Sequence, residues 1–248
     1  MKVAVAGATG LVGQLVAKTL HAQSHEVVPL TRGTGVDLMT GNGLAGRLNG
    51  VDAVIDVLNI STQRRAVAEE FFTTTTRRLL EAEAVCEVRH HVTLSIVGID
   101  LVPLGYYQGK LAQEQALFAG RSPWSLLRAT QFYEFSQQAL DFMKLGPVSL
   151  VPRMLSQPVA ASEVAAMLVS LAVQQPIGRA PDLAGPEPVQ MVDLARRVNK
   201  VKGLKRRIVP ISMPGAAGRA MRDGSLLPQP GTRPTTVGSM TVDDWLAQ

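Results

Sequence analysis

Val3-Ala4-Val5-Ala6-Gly7-Ala8-Thr9-Gly10-Leu11-Val12-Gly13 begins with a short β-type apolar run, continues through three glycines spaced by two residues, and ends where a helical pattern starts. A nucleotide pyrophosphate needs this arrangement. A turn with little side chain lets the backbone approach phosphate oxygens. The helix that begins there offers unpaired N–H groups and the positive end of its dipole. Glycines also mark ordinary turns. Here a strand precedes and a helix follows, the context that a phosphate loop requires.

Outward from this unit, strand and helix signals alternate. Lys2–Ala6 is the strand, and Leu11, Leu15, Val16, Thr19 and Leu20 recur at helical spacing behind the glycines. Glu26–Thr31 reads as a second strand and Val36-Asp37-Leu38 as a short third one. Leu44–Leu48 reads as a brief helix, and Asp52–Leu58 as a strand ending at Asn59. Thr62–Val85 reads as a long helix, although Thr73–Thr76 is a poor helix-forming stretch that packing has to override. His91–Val97 is β-rich, Tyr106–Ala119 helical, and Ser122–Ala129 an apolar strand. Such alternation predicts a parallel sheet covered on both faces. Ligands of such sheets bind beyond the carboxyl ends of the strands, at the switch in strand order.

Two strand ends are informative on that account. The second strand ends in Leu30-Thr31-Arg32. An acidic residue there would accept hydrogen bonds from a ribose 2′-OH and favour NAD. The Arg32 guanidinium instead suits a 2′-phosphate, which points to NADP and leaves NAD possible. A solvent-facing arginine is the alternative. Asp37 either lies near the adenine or caps a turn. Leu58 and Asn59 follow a strand in a βα unit, a position beside the cofactor ribose; a buried turn asparagine is the alternative.

A third group is Tyr106-Tyr107-Gln108-Gly109-Lys110. Tyr106 and Lys110 are four apart and share a helix face. A lysine near a phenol favours phenolate and lowers its pKa. A phenol so tuned gives or takes the proton that accompanies hydride transfer at a carbonyl. Leu94-Ser95-Ile96-Val97-Gly98 precedes this pair and brings Ser95 forward as a group to polarise a carbonyl.

Composition narrows the classes. Hydrophobic residues make up 46% and charged residues 18% of 248, which excludes a disordered chain and allows a substantial core. The single cysteine, Cys86, cannot form an internal disulfide, which fits a reducing cytoplasm. His21, His25 and the pair His90-His91 have no cysteine framework for a metal, and the pair reads as a strand entry. No signal-peptide pattern and no apolar run of about 20 residues are seen, so no membrane is expected. The net charge of +5 is scattered; its densest group, Lys200, Lys202, Lys205, Arg206 and Arg207, has no interleaved aromatics and reads as a solvated face. No nucleic-acid partner is expected.

The second half is rich in proline, with 12 of the 15 from Pro147 onward. Gly185-Pro186-Glu187-Pro188 and Leu227-Pro228-Gln229-Pro230-Gly231 read as loops. Ser162–Val173 reads as a helix capped by Ser162, with Glu163 in its first turn, and Gln190–Val198 as another. This half is expected to be an irregular α/β lobe.

With these residues assembled, the chain resembles the short-chain dehydrogenase/reductase superfamily, in its atypical NmrA-like branch of NAD(P)-binding proteins. The matching features are the glycine motif, Leu30-Thr31-Arg32, the Ser95 run, and Tyr106-Tyr107-Gln108-Gly109-Lys110 with Glu114. Leu127-Arg128-Ala129-Thr130-Gln131-Phe132, Gln157-Pro158-Val159-Ala160 with Glu163-Val164-Ala165, Leu183-Ala184-Gly185-Pro186-Glu187 and a terminal Trp245-Leu246 extend the likeness. The resemblance implies an α/β fold: a Rossmann-type doubly wound parallel sheet with a small C-terminal α/β substrate lobe. The dinucleotide domain would span residues 1–130 and the lobe 131–248, with about 155–175 returning to the first domain. Gly7, Thr9, Gly10, Leu11, Val12 and Gly13 would contact pyrophosphate, and Arg32 the adenosine phosphate. Tyr106 and Lys110 match the superfamily's tyrosine–lysine pair, Lys110 also holding the nicotinamide ribose. Thr130-Gln131-Phe132 would line the nicotinamide and substrate pocket. Where the superfamily's serine is usual this chain has Ile96 and Val97; Ser95 is either its substitute or only a cap on the strand.

The expected function is an NADPH-dependent reductase of a small carbonyl or quinone, cytoplasmic, monomeric or homodimeric. The alternative is a dinucleotide sensor that regulates a partner protein without turnover. Epimerase or dehydratase chemistry on a sugar ranks third.

Overall fold

The computed structural model describes residues 1–142 and 144–247. In chain order, the first elements are Lys2–Ala6 (β1), Leu11–Ala22 (α1), Glu26–Leu30 (β2), Leu44–Leu48 (α2), Ala53–Asp56 (β3), Arg65–Val85 (α3), His90–Ile96 (β4), Gly105–Ala119 (α4) and Trp124–Ala129 (β5). There follow Tyr133–Phe142 (α5), Lys144–Leu145 (β6), Val148–Pro152 (β7), Leu155–Ser156 (β8), Ala161–Ala172 (α6), Gly178–Arg179 (β9) and Asp182–Ala184 (β10). Val189–Gln190 (β11), Met191–Val201 (α7), Arg207–Ile211 (β12), Gly215–Arg222 (α8), Thr235–Val237 (β13) and Val242–Leu246 (α9) complete the set. The chain divides into two compact units. One is Met1–Ser95, Leu104–Arg128 and Val164–Ala180; the other is Ile96–Pro103, Ala129–Glu163 and Pro181–Gln248.

The first unit is a Rossmann-type α/β arrangement. Its strands lie in the order β2-β1-β3-β4-β5, with β9 on β5. The β1–β2, β1–β3 and β3–β4 pairs are parallel, with Val3 opposite Val27 and Ala53. Because β2 and β3 flank β1 on opposite sides, the strand order switches beside the glycine loop. Val3, Ala4, Val5 and Ala6 are all fully buried. A parallel strand covered on both faces reads as a continuous apolar run, and this one does. Ala4, Ala6, Val28, Leu30, Val54 and Leu79 form one core cluster with Leu44 and Leu48 of α2.

Helix α3 runs through the four threonines. Thr75 bonds its hydroxyl to the Phe71 carbonyl at 2.8 Å, and Thr75 and Thr76 are buried. Packing against α4 stabilises this helix against its propensity. Gly109 permits the approach, since a Cβ there would fall 2.5 Å from the Ala68 Cβ.

Two local expectations are corrected. Val36-Asp37-Leu38 forms no strand; Asp37 makes an isolated bridge to Asn42 and accepts from the amides of Met39 and Thr40. It is a turn-capping residue, because its short carboxylate reaches its own following amides. Helix α6 starts at Ala161, so Ser162 lies inside it and does not precede it as a cap. Glu163 accepts instead from the amides of Ser239 and Met240, at 2.6 and 3.2 Å.

In the second unit β7 and β12 are parallel from Val148↔Arg207 to Pro152↔Ile211, and β6 pairs antiparallel with β7. Strand β10 pairs parallel with β13. Tyr133 stacks on Trp245 with centroids 5.4 Å apart and donates its hydroxyl to the Met240 carbonyl at 2.9 Å. Among the described residues no helix is long and apolar enough to cross a membrane.

Candidate dinucleotide and proton-transfer site

The glycine loop joins β1 to α1 at the switch in strand order. Gly7 has a φ of +88°, a left-handed conformation that favours glycine. Its amide plane lies against the next strand end, where a Cβ would fall 2.8 Å from the Val57 carbonyl oxygen. Gly10 donates its amide to the Gly7 carbonyl at 3.0 Å and stands as the N-cap of α1, without a side-chain cap. A Cβ on Gly13 would fall 2.1 Å from the Gly7 oxygen. Gly7 and Gly13 therefore each have a steric reason, and at Gly10 the helix start is left bare. Thr9 and Leu11 are exposed at this turn, while Val12 is buried beneath it. The first turn of α1 holds no acidic side chain. Together these features fit a pyrophosphate.

Arg32 opens a single 3-10 turn after β2 and is exposed. Thr31 and Thr34 cap that turn reciprocally, and Arg47 donates to the Thr34 carbonyl at 3.0 Å. The turn is thus fixed while the Arg32 side chain projects from it.

Beyond β3, Leu58 is half-buried and donates its amide to Asp56 Oδ1 at 3.0 Å. Asn59 Oδ1 accepts the Tyr106 hydroxyl proton at 2.7 Å. Burial, aided by Tyr107, pushes the Tyr106 phenol above its ordinary pKa. This is opposite in direction to the lowering expected from Lys110. The cause is visible in the lysine's own contacts. Lys110 is 4% exposed and donates Nζ to the Leu94 carbonyl at 2.7 Å and to Gln113 Oε1. Its ammonium lies 4.8 Å from the Phe72 ring centroid, and the Tyr106 ring meets the same Phe72 edge-on at 5.8 Å. Burial pulls the Lys110 pKa down to about 8, against the attraction of Asp56 and Glu114.

Ser95 is 1% exposed and donates to Glu114 Oε1 at 2.6 Å. Glu114 also receives Arg128 at 2.8 Å from Nε and 2.7 Å from Nη2. Ser95 therefore belongs to a buried ion-pair cluster, on a different contact set from Tyr106 and Asn59. In the second unit, Thr130 donates its hydroxyl to the Gln157 carbonyl at 2.6 Å, and Phe132 bridges to Val159. Both amide atoms of Gln131 are buried with no partner among the described residues.

Sequence reasoning missed two residues of this network. Asp56 ends β3 as a fully buried carboxylate, and Gln113 donates to its Oδ2 at 2.9 Å while accepting from Lys110. The available signals were an aspartate closing an apolar strand and a glutamine three residues after the lysine. It also missed His91 and Glu83, both fully buried and 2.6 Å apart. Burial alone would lower the imidazole pKa, but the Glu83 carboxylate beside it and Asp56 hold it above its ordinary value.

The parallel sheet with its strand-order switch, and a glycine turn opening a helix at that switch, define an α/β protein with the Rossmann fold of NAD(P)-binding proteins. No protein-family model and no curated protein sequence matches the chain. Solved structures do. A short-chain dehydrogenase/reductase superfamily protein from Agrobacterium tumefaciens with bound NAD aligns with a TM-score of 0.69 at 19% identity, covering 100% of this chain and 95% of that one. UDP-N-acetylglucosamine 4-epimerase from Bacillus cereus aligns at 0.72 and 18%, covering 99% and 95%. An NADPH-dependent quinone oxidoreductase from Escherichia coli, complexed with NADPH, aligns at 0.69 and 17%, covering 99% and 98%.

Proposed function

We propose that this protein is an NADPH-dependent reductase of a small carbonyl or quinone compound, of the NmrA-like kind. One observation carries the reading. The 57–59 segment backs the Gly7 turn through Val57 and holds the Tyr106 hydroxyl through Asn59, so a glycine loop and a half-buried phenol share one strand end. The dinucleotide, when bound, supplies a hydride. The chain's residues bind it and manage the proton.

Gly7, Thr9, Gly10, Leu11, Val12 and Gly13 hold the pyrophosphate with backbone N–H groups at the start of α1. The Arg32 guanidinium takes the adenosine 2′-phosphate, by charge and by its donor fork. Leu58 flanks the ribose. Tyr106 keeps its proton at neutral pH, because burial holds the phenol in its neutral form. It is therefore the proton donor, and Asn59 aims its hydroxyl. Lys110 supports β4 and α4 through Leu94 and Gln113.

A second reading has one observation in its favour. Ser95 spends its hydroxyl on Glu114, which leaves carbonyl polarisation without a serine. That suits a sensor which binds the dinucleotide and regulates a partner without turnover. Titration with NADPH and NADH, followed by a panel of aldehydes, ketones and quinones, separates the two. NADPH oxidation with a panel member supports the reductase. Tight NADPH binding with no oxidation of any panel member overturns it in favour of the sensor.

A further inference from the structure

The second unit contains a cleft of about 350 Å³ lined by Arg153, Gln190, Val192, Asp193, Arg196 and Arg222, with Pro210. Its place in the unit is informative. Strands β7 and β12 run parallel, and α7 lies between them in the chain and packs on both. Arg153 follows the last residue of β7 and donates its amide to the Ile211 carbonyl, at the last residue of β12, at 2.8 Å. The cleft thus opens at the carboxyl ends of two parallel strands and the N-terminus of their crossover helix. In α/β sheets that is where ligands bind.

The charges sharpen the assignment. Arg153 comes from the end of β7, Arg196 from α7 and Arg222 from the end of α8. Among the described lining residues the one carboxylate, Asp193, is paired with Arg196 at 2.9 Å. Three guanidiniums and one carboxylate leave two positive charges. Arg222 donates to the Met213 carbonyl at 3.2 Å, and Arg153 is exposed. Like charges gathered in one cleft repel unless an anion lies among them. Gln190, the N-cap of α7, makes no side-chain capping bond. The volume lies within the range of small-molecule sites, larger than an inorganic phosphate needs.

We propose that this cleft binds a small phosphate monoester, its dianion set among Arg153, Arg196 and Arg222. The guanidinium fork matches phosphate oxygens in pairs. Val192 and Pro210 supply a short apolar wall for the esterified body. Among the described residues no aromatic side chain lines the cleft, so a base or nucleoside has nothing there to stack on. The proposal does not rest on the dinucleotide reading.

Isothermal titration of the full chain tests it with glucose 6-phosphate, inorganic phosphate and succinate at fixed ionic strength. Glucose 6-phosphate is expected to bind more tightly than phosphate, and succinate more weakly than either. The R153Q/R222Q double variant is expected to lose at least about tenfold in glucose 6-phosphate affinity, as removal of charge-assisted bonds predicts. A thermal melt guards against misfolding. The variant should match or exceed the wild-type Tm without phosphate ester and lose the ester-induced rise. Unchanged affinity in R153Q/R222Q, no binding of glucose 6-phosphate, or succinate binding as tightly as the ester would each overturn the proposal. NADPH titration of the same variant reports the dinucleotide site separately, and its failure in both proteins would count against the reductase reading alone.

Discussion

The Tyr106 hydroxyl donates to Asn59 Oδ1 at 2.7 Å, joining helix α4 to the segment after β3. The phenol is half-buried and its pKa is raised by desolvation, and its acceptor is a carboxamide that cannot take its proton. On the proposed reductase reading, this hydroxyl is the proton donor and Asn59 aims it.

Tyr106→Phe should therefore lower kcat by about 10²-fold or more, the usual worth of a positioned acid. NADPH affinity should stay within about twofold, because the ring contacts with Phe72 and Tyr107 remain. Steady-state kinetics with fluorescence titration of NADPH check both. An undiminished kcat would remove Tyr106 from the reaction.

Arg32→Ala should weaken NADPH binding by about 10- to 100-fold, the loss of one or two charge-assisted bonds. NADH binding should hardly change. Paired titrations of the two cofactors decide it; equal losses for both would show that Arg32 does not read the 2′-phosphate.

Gly13→Ala should disable the loop. The new Cβ would fall 2.1 Å from the Gly7 oxygen, so the turn must shift. A destabilisation of about 1–3 kcal/mol, typical of overpacking, is expected with loss of NADPH binding. Denaturant unfolding and titration measure the two effects.

The Lys110 pKa lies near 8, below its unfolded value, because burial penalises the ammonium. Between about 8 and 10.4 the unfolded chain binds more protons than the folded one, so folding stability gains from this group as pH rises through that window. Lys110→Met should remove that rise. Urea midpoints between pH 7 and 10 for both proteins provide the measurement, and an identical pH profile would contradict the burial argument.

Glu83→Ala should cost about 3–5 kcal/mol, because it leaves the buried His91 without its carboxylate. The His91 pKa is raised in the fold. Its contribution is therefore complete below the unfolded histidine pKa and fades as pH rises through the higher folded value. Imidazole NMR titration should show His91 titrating above the ordinary histidine value, and its pKa falling in Glu83→Ala.

The strand–turn–helix around Gly7 was legible because its signals are local: apolar run, small residues, helical spacing. Val36-Asp37-Leu38 was misread because three apolar and acidic residues look alike in a strand and in an Asx turn; only the reach of Asp37 to Met39 and Thr40 separates them. The threonine run in α3 went the other way, since burial against α4 outweighs weak local preference.

By itself the sequence determined that a parallel α/β sheet forms and where its glycine turn lies, because periodicity and backbone freedom are properties of neighbouring residues. The tertiary structure alone decided what the titratable side chains meet. Tyr106 and Lys110 share a helix face, yet one reaches Asn59 and the other Leu94 and Gln113. Ser95 and Arg128, far apart in the chain, both bond to Glu114. Partner choice and burial fix hydrogen bonds and pKa values, and both are set by packing between distant segments, which spacing along the chain does not record.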